Sequence, residues 1–163
     1  MKQLITSSNN KIKRKGILGP VLSFSILCIF LFSCKSKNTL PQYTSKDISA
    51  VTTKMTDIML HDITNPPLAA RFFAYTCLAG YEVVVQNDAT FKSMNGKLNG
   101  YPEIKRPEAI QPFSYPLAAL IAMMETAKKM QPSGKMMQDF EDNFFDSCRK
   151  AGLDDLVLEN SKN

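Results

Sequence analysis

Few residues of this chain have side chains that could carry out chemistry. Its single histidine, His61, stands beside Asp62. A His-Asp pair can activate a serine nucleophile, but the sequence has no Gly-x-Ser-x-Gly turn to present that serine. A metal site would require a second His or Cys at ligand spacing from His61, and none occurs. We therefore expect His61 to cap or pack a helix end.

Four carboxylates lie close together near the C-terminal end: Asp139, Glu141, Asp142 and Asp146. Without a histidine or cysteine among them, they are typical of the solvated face of a helix rather than of a metal site. The methionines recur at helical spacing and are expected to fill gaps in a core. A methionine-lined groove for a partner helix is the alternative.

The N-terminal segment has the pattern of a secretory signal. Five cationic residues and no acidic residue precede an apolar run over 17–32, which is short and interrupted for a transmembrane helix. The run ends in Leu31-Phe32-Ser33-Cys34, which resembles the lipobox of bacterial lipoproteins, where the cysteine is diacylated on sulfur. We predict a cleaved signal peptide over 1–33 and a lipidated Cys34. An uncleaved N-terminal anchor is the alternative, and both place the remainder outside the cytoplasm.

Cleavage would also remove the net charge of +5. Of the 20 Lys and Arg residues, 5 lie in the signal, so 15 remain to balance the 15 Asp and Glu residues. A neutral chain lacks the basic surface that nucleic acids require. In an oxidising compartment Cys77 and Cys148 could form a disulfide, and two buried free thiols remain equally open.

The elements that must position these residues are predicted to be helices. We expect a flexible tether over 34–45 and one helical domain over 46–163. Within it, apolar periodicity, prolines and capping residues predict helices over about 45–61, 67–86, 114–129, 135–151 and 153–161. The segment 87–113 contains too many helix breakers to form a long helix. The fold class is therefore all-α, a small bundle of four to five helices.

The second of these helices is apolar on nearly every side. Such a helix is expected at the centre of a bundle, so we predict that residues 67–86 are central and buried. Arg71 and Glu82 lie within this stretch and argue against a membrane span, because each charge would be costly in lipid.

Several residues around this helix carry a family resemblance. The stretch from His61 to Glu82, with later pieces such as Leu98-Asn99-Gly100 and Ala151-Gly152-Leu153, resembles the N-terminal helical region of bacterial vanadium-dependent haloperoxidase-like proteins of the type 2 phosphatidic acid phosphatase superfamily. The resemblance spans about residues 54–163. It covers part of the helical scaffold of these proteins and none of their catalytic motifs. The residues that carry its motif are His61, Asp62, Asn65, Pro66, Pro67, Arg71, Tyr75, Tyr81 and Glu82.

The catalytic motifs of that family are missing. The family binds phosphate or vanadate with three motifs. The first has a Lys followed by Arg-Pro, the second is Ser-Gly-His, and the third is an Arg followed by a His. Together they hold the oxyanion and transfer protons. Arg106-Pro107 imitates the first motif, but Asn99 stands in place of the Lys. Pro132-Ser133-Gly134 imitates the second, but Lys135 stands in place of the His. Both are expected to be turns.

Together with the predicted lipid on Cys34, the resemblance and its missing motifs imply a membrane-anchored scaffold that is inactive alone and holds no vanadate or phosphate. The chain would be the front part of a longer phosphatase or haloperoxidase, with the catalytic remainder as its partner. The alternative is a self-contained helical binding lipoprotein. The lack of acidic residues just after Cys34 favours a lipid anchor in the outer membrane, facing the periplasm, in a Bacteroidetes-type cell envelope.

Overall fold

Five helices and no strand make up the part of the chain that the computed structural model describes, which is residues 41–101, 104 and 110–163. They are α1 (Ser45–His61), α2 (Pro66–Val84), α3 (Tyr115–Met130), α4 (Met136–Lys150) and α5 (Asp155–Lys162). The predicted all-α fold is confirmed, with five helices close to the expected bounds. The predicted signal peptide and lipidated Cys34 lie outside the described residues. Among the described helices there is no candidate for a membrane span.

Local chemistry explains where the first two helices begin. The Thr44 hydroxyl accepts from the Lys46 N–H at 3.2 Å, while Asp47 accepts from the Thr44 N–H at 2.6 Å. This capping box satisfies N–H groups that have no partner within the helix. The Asn65 side chain likewise accepts from the Leu68 N–H at 3.0 Å, and the two prolines that follow suit a first turn because their missing N–H groups are not needed there.

The centre of the bundle is α3 rather than α2. Every other helix packs against α3, and its buried residues point to all sides: Leu117, Ala118, Ala119, Leu120, Ile121, Met123, Met124 and Ala127. On α2 the buried residues are Phe72, Thr76, Gly80 and Glu82. The prediction that the helix over 67–86 is central and buried is therefore wrong within this chain, because α2 packs one side on α3 and leaves the other exposed.

Two further corrections concern faces of helices. Helical spacing of the apolar residues on α1 predicts one buried face formed by Ile48, Val51, Met55, Ile58 and Met59. Ile48 is 47% exposed, whereas the other four are buried. On α4, Asp139, Asp142 and Asp146 are exposed, but Glu141 is only 3% exposed. Glu141 lies four residues from both Met137 and Phe145, which are buried, so helical geometry places it on the core side.

The α1 end is tied to the turn between α3 and α4. A carboxylate oxygen of Asp62 accepts from the Ser133 N–H at 3.0 Å, and the Gln131 side chain donates to the Met55 carbonyl oxygen at 2.9 Å. At the opposite end of α3, the Ser114 N–H donates to the Ser161 hydroxyl at 3.1 Å and fixes α5. Polar contacts thus hold both ends of the central helix to its neighbours.

The C-terminal end of α1 contains a strained residue. The Thr64 N–H bonds the Met59 carbonyl and the Ile63 N–H bonds the Leu60 carbonyl, which is the Schellman arrangement that normally takes glycine in the left-handed region. Here the position is Ile63, with φ of 51° and a side chain 90% exposed. A β-branched residue is disfavoured at positive φ, and no burial of its side chain offsets that penalty.

Replacing Ile63 by glycine is therefore expected to stabilise the domain. Relief of the left-handed strain should outweigh the greater freedom of glycine in the unfolded chain, for a net gain of about 0.5–1 kcal/mol. Urea unfolding of Ile63→Gly measures it. Ile63→Ala is the matched control, since it removes the exposed side chain but keeps a Cβ, and it should gain clearly less. A glycine variant no more stable than the alanine variant would contradict the strain.

Candidate functional site

The motif residues do not converge on one site but lie at three places along α1 and α2. His61 and Asp62 end α1, Asn65, Pro66 and Pro67 begin α2, and Tyr81 and Glu82 lie in its last turn. Arg71 and Tyr75 lie between, both exposed. At 1.5 Å per residue, Arg71 and Tyr81 are separated by about 15 Å along the helix axis. Such a spacing suits a scaffold motif and is too wide for side chains that share one small ligand.

Near the end of α1, the structure brings together a histidine, an aspartate and a serine. The His61 Nδ1 atom lies 3.2 Å from a carboxylate oxygen of Asp62, and Asp62 binds Ser133. The hydrogen bonds from the Ser133 side chain and backbone, followed by that of His61, hold the pKa of Asp62 below its usual range. In a hydrolytic triad the histidine stands between the other two, whereas here Asp62 does. The cluster therefore does not activate the serine, and its carboxylate serves to join two turns.

At the end of α2, two adjacent side chains hold the segment that follows. The Glu82 carboxylate, in a side chain only 4% exposed, accepts from the Ser93 hydroxyl at 2.7 Å and from the Met94 N–H at 2.6 Å. The Tyr81 hydroxyl donates to the Lys92 carbonyl oxygen at 2.8 Å. Hydrogen bonds to a carboxylate compensate for the loss of its hydration. Tyr81 and Glu82 therefore fix residues 92–94 against α2.

Tyr101 lies close to the same carboxylate. Burial, followed by the negative charge of Glu82, raises the pKa of the Tyr101 hydroxyl above its ordinary value. Glu82 belongs to the family motif, but its contacts with Ser93 and Met94 were not predicted from the sequence. An acid within an otherwise apolar helix was the signal that could have indicated them, because a buried charge requires partners.

A cationic group that was not predicted from the sequence lies between α3 and α4. The Lys128 amino group lies 2.5 Å from carboxylate oxygens of both Glu125 and Glu141 and donates to the Gln138 side chain at 2.8 Å. Burial alone would lower the pKa of Lys128, but the two carboxylates outweigh it and raise that pKa. Because two acids already neutralise this lysine, it is poorly suited to bind an oxyanion.

The concave surfaces that border α3 include an apolar one and a more polar one. One is an apolar groove of about 470 Å³ between α1, α2 and α3, whose lining includes Ile48, Cys77, Tyr81, Leu120 and Met123. The other is a cavity of about 550 Å³ next to α5. Its lining includes the aromatic residues Phe113 and Tyr115 and the cationic residues Lys129 and Lys162. Neither contains His61 or Arg71.

The remaining sequence-predicted features have ordinary structural roles. Cys77 is an exposed free thiol and Cys148 a buried one, so the disulfide alternative is not formed. Pro132-Ser133-Gly134 is the α3–α4 turn, as expected. A Cβ atom at Gly134 would lie 1.9 Å from the Lys128 carbonyl oxygen, which explains the glycine. Arg106-Pro107 lies outside the described residues. No group of His, Cys, Asp and Glu able to hold a metal occurs in the part of the chain that the structure describes.

Replacing Glu82 by glutamine should loosen the segment that it holds. An amide directs an NH₂ group at one of the two donors and lacks the charge that strengthens both bonds, a loss of about 1–3 kcal/mol. Limited proteolysis with trypsin, which cuts after Lys92 and Lys97, should become at least severalfold faster. Glu159→Gln, an exposed carboxylate on α5, is the control and should leave the cleavage rate unchanged. Equal rates in wild type and Glu82→Gln would contradict this anchoring role.

Comparison with known proteins finds a similarity among solved structures. No protein-family model matches the chain, and no curated protein matches it. Among solved structures, the crystal structure of the first bacterial vanadium-dependent iodoperoxidase is similar, with 32% sequence identity and a TM-score of 0.69. The match covers 75% of this chain.

That match covers 29% of the iodoperoxidase chain. The present chain therefore spans less than a third of the length of the protein it matches. The two chains therefore share both the arrangement of their helices and about a third of the aligned residues, which is more than two unrelated helical bundles would share. The described helices have a vanadium haloperoxidase-like scaffold fold.

Proposed function

We propose that this chain is a non-catalytic helical scaffold, which packs against the catalytic part of a vanadium haloperoxidase-like or phosphatidic acid phosphatase-type enzyme and is held at a membrane by a lipid on Cys34. The observation that carries the proposal is the similarity to 29% of a bacterial iodoperoxidase, at 32% identity. The matched segment is under a third of that enzyme, and this chain lacks the family's catalytic motifs. Its best-supported role is therefore to pack against the catalytic part and hold it in place.

The residues present do not fit a vanadate or phosphate site. An oxyanion of this kind needs several converging cations or N–H donors and, in this family, histidines. The chain has one histidine, and its ring pairs with Asp62 at the end of α1. Lys128 is neutralised by Glu125 and Glu141. No step of phosphoryl transfer or halide oxidation can be assigned to this set.

The membrane attachment rests on the sequence. The cationic segment, the apolar run over 17–32 and Ser33-Cys34 support cleavage and lipidation at Cys34. As a lipoprotein, the chain would lie in the cell envelope outside the cytoplasm. We favour a lipid anchor in the outer membrane, with the helical domain on the periplasmic side. The balance of 15 cationic and 15 acidic residues after the signal supports a partner other than nucleic acid.

A self-contained binding lipoprotein is the second candidate, and the apolar groove between α1, α2 and α3 favours it. At about 470 Å³ the groove falls within the usual size range of small-molecule sites. However, its lining is mostly apolar, and the Thr44 and Tyr81 hydroxyls within it already donate to Asp47 and to the Lys92 carbonyl oxygen, so they are not free to orient a ligand. The scaffold therefore remains the function that the residues support best.

The purified chain is expected to bind no vanadate and to oxidise no iodide. Vanadium-51 NMR of orthovanadate with the chain should show no line broadening beyond that of free vanadate, and added peroxide and iodide should yield no triiodide absorbance. The bacterial iodoperoxidase is the positive control for both measurements. Vanadate binding that disappears in His61→Ala would overturn the proposal, because it would show an oxyanion site within this chain.

Replacing Cys34 by serine should abolish attachment to the membrane. The lipid is joined through the cysteine sulfur, so a serine cannot receive it. In cells labelled with radioactive palmitate, the wild-type chain should carry label and sediment with membranes, whereas Cys34→Ser should be unlabelled. Cys28→Ser is the matched control, since that residue lies in the signal and should change neither result. Label that persists in Cys34→Ser would contradict the lipid site.

A further inference from the structure

The outer side of α2 is apolar and has no partner in the described chain. Helical positions three and four apart lie on one face. This face, called the α2 stripe below, runs over more than half of the helix and is exposed except for the half-buried Leu78. Its members are Pro67, Ala70, Arg71, Ala74, Tyr75 and Leu78. Because α2 packs chiefly on α3, the stripe is left without a neighbouring helix.

Two charges lie on α2, and they differ in their surroundings. Glu82 is buried and its carboxylate is bonded to Ser93 and Met94. Arg71 lies within the stripe, is exposed, and forms no ion pair or hydrogen bond with any described residue. Its neighbours on the stripe are apolar, so the guanidinium is the one charge that a covering surface would meet.

The stripe selects for a partner of particular chemistry. Covering the apolar residues is favourable, since it removes their surface from water. Covering Arg71 is strongly unfavourable unless an anionic group pairs with it, because a buried charge without a partner loses its hydration. A partner must therefore combine an apolar surface with a carboxylate placed opposite Arg71.

The shape of the stripe indicates a helix as the partner. The stripe is the convex side of a 19-residue helix, which packs naturally into the groove of another helix. A small ligand would instead require a concave site. A second copy of the chain would bring a second arginine and no exposed acid from its own stripe, so like charges would meet in a two-fold interface.

We infer that the α2 stripe is the docking surface for a helix of the catalytic part, and that this helix presents an aspartate or glutamate to Arg71. The inference rests on the proposed scaffold function. Over 70% of the similar iodoperoxidase lies beyond the matched segment, which leaves ample protein to cover the stripe.

The test is site-specific photo-crosslinking of the full chain in the cells that produce it. A photo-reactive amino acid at Ala74 should crosslink to a helix of a polypeptide, or of a chain segment, that carries the Ser-Gly-His and Arg-to-His motifs. The crosslinked peptide should contain an Asp or Glu. A photo-reactive residue at Asp139, exposed on α4, is the positional control and should give no such product.

Arg71 variants then test the ion pair. Arg71→Ala should lower the crosslink yield roughly tenfold or more, as expected when one partner of a buried charge pair is lost. Arg71→Lys should retain much of it, and Lys150→Ala, an exposed cation on α4, should retain all of it. Reversing both charges, with Arg71→Glu and a basic residue at the crosslinked acid, should restore the yield. Circular dichroism melting confirms that each variant remains folded.

The outcomes separate the two proposals. A motif-bearing crosslink whose yield is unaffected by Arg71→Ala overturns the Arg71 pair and leaves the scaffold function standing. If neither Ala74 nor Asp139 gives a motif-bearing crosslink, whether they crosslink to lipid, to a second copy, to other proteins or to nothing, both proposals are overturned. A motif-bearing crosslink from Asp139 but not from Ala74 moves the docking surface to another face and overturns this inference alone.

Discussion

The burial of α3 on all its sides is the constraint on which the rest of the domain depends. Each of the other four helices contributes one apolar face to it, and none has a comparable core of its own. Leu117, Met124 and Ala127 are fully buried, so their surroundings must fit closely. The Asp62 and Ser161 contacts near the two ends of α3 then fix the angle at which α1 and α5 meet it. A domain built this way leaves the outer faces of its peripheral helices free to contact other protein.

The helix boundaries could be predicted because they depend on local chemistry. Two helices begin where a capping side chain, that of Asn65 or Ser114, accepts from an N–H group of the first turn. Prolines follow in that turn, where their lack of an N–H group costs no hydrogen bond. The choice of central helix could not be predicted in the same way. Apolar composition indicates that α2 is buried somewhere, but it does not distinguish burial within this chain from burial against another part.

The orientation of α4 shows a second limit. The spacing of apolar residues on α4 predicts one face that includes Met137, Phe140, Phe144 and Cys148. The structure buries Met137 and Cys148, leaves Phe140 and Phe144 half-buried, and buries Glu141 and Phe145 beside them. The Glu141 carboxylate can lie inside because Lys128, on a different helix, supplies the counter-charge. A pairing between residues 13 positions apart on two helices is not visible in the pattern of either helix alone. The Glu82 contacts with Ser93 and Met94 were missed for the same reason.

The thioether side chains of the core have one more consequence. Met55, Met59, Met123, Met124 and Met137 are all at most 6% exposed, whereas Met136 is 37% exposed. Oxidation turns a methionine into a polar sulfoxide that no longer suits an apolar interior. In a peroxide-rich setting, Met136 would react first with little harm. The buried five would react only as fast as the helices separate, so the bundle's resistance to oxidative damage is set by how rarely it opens.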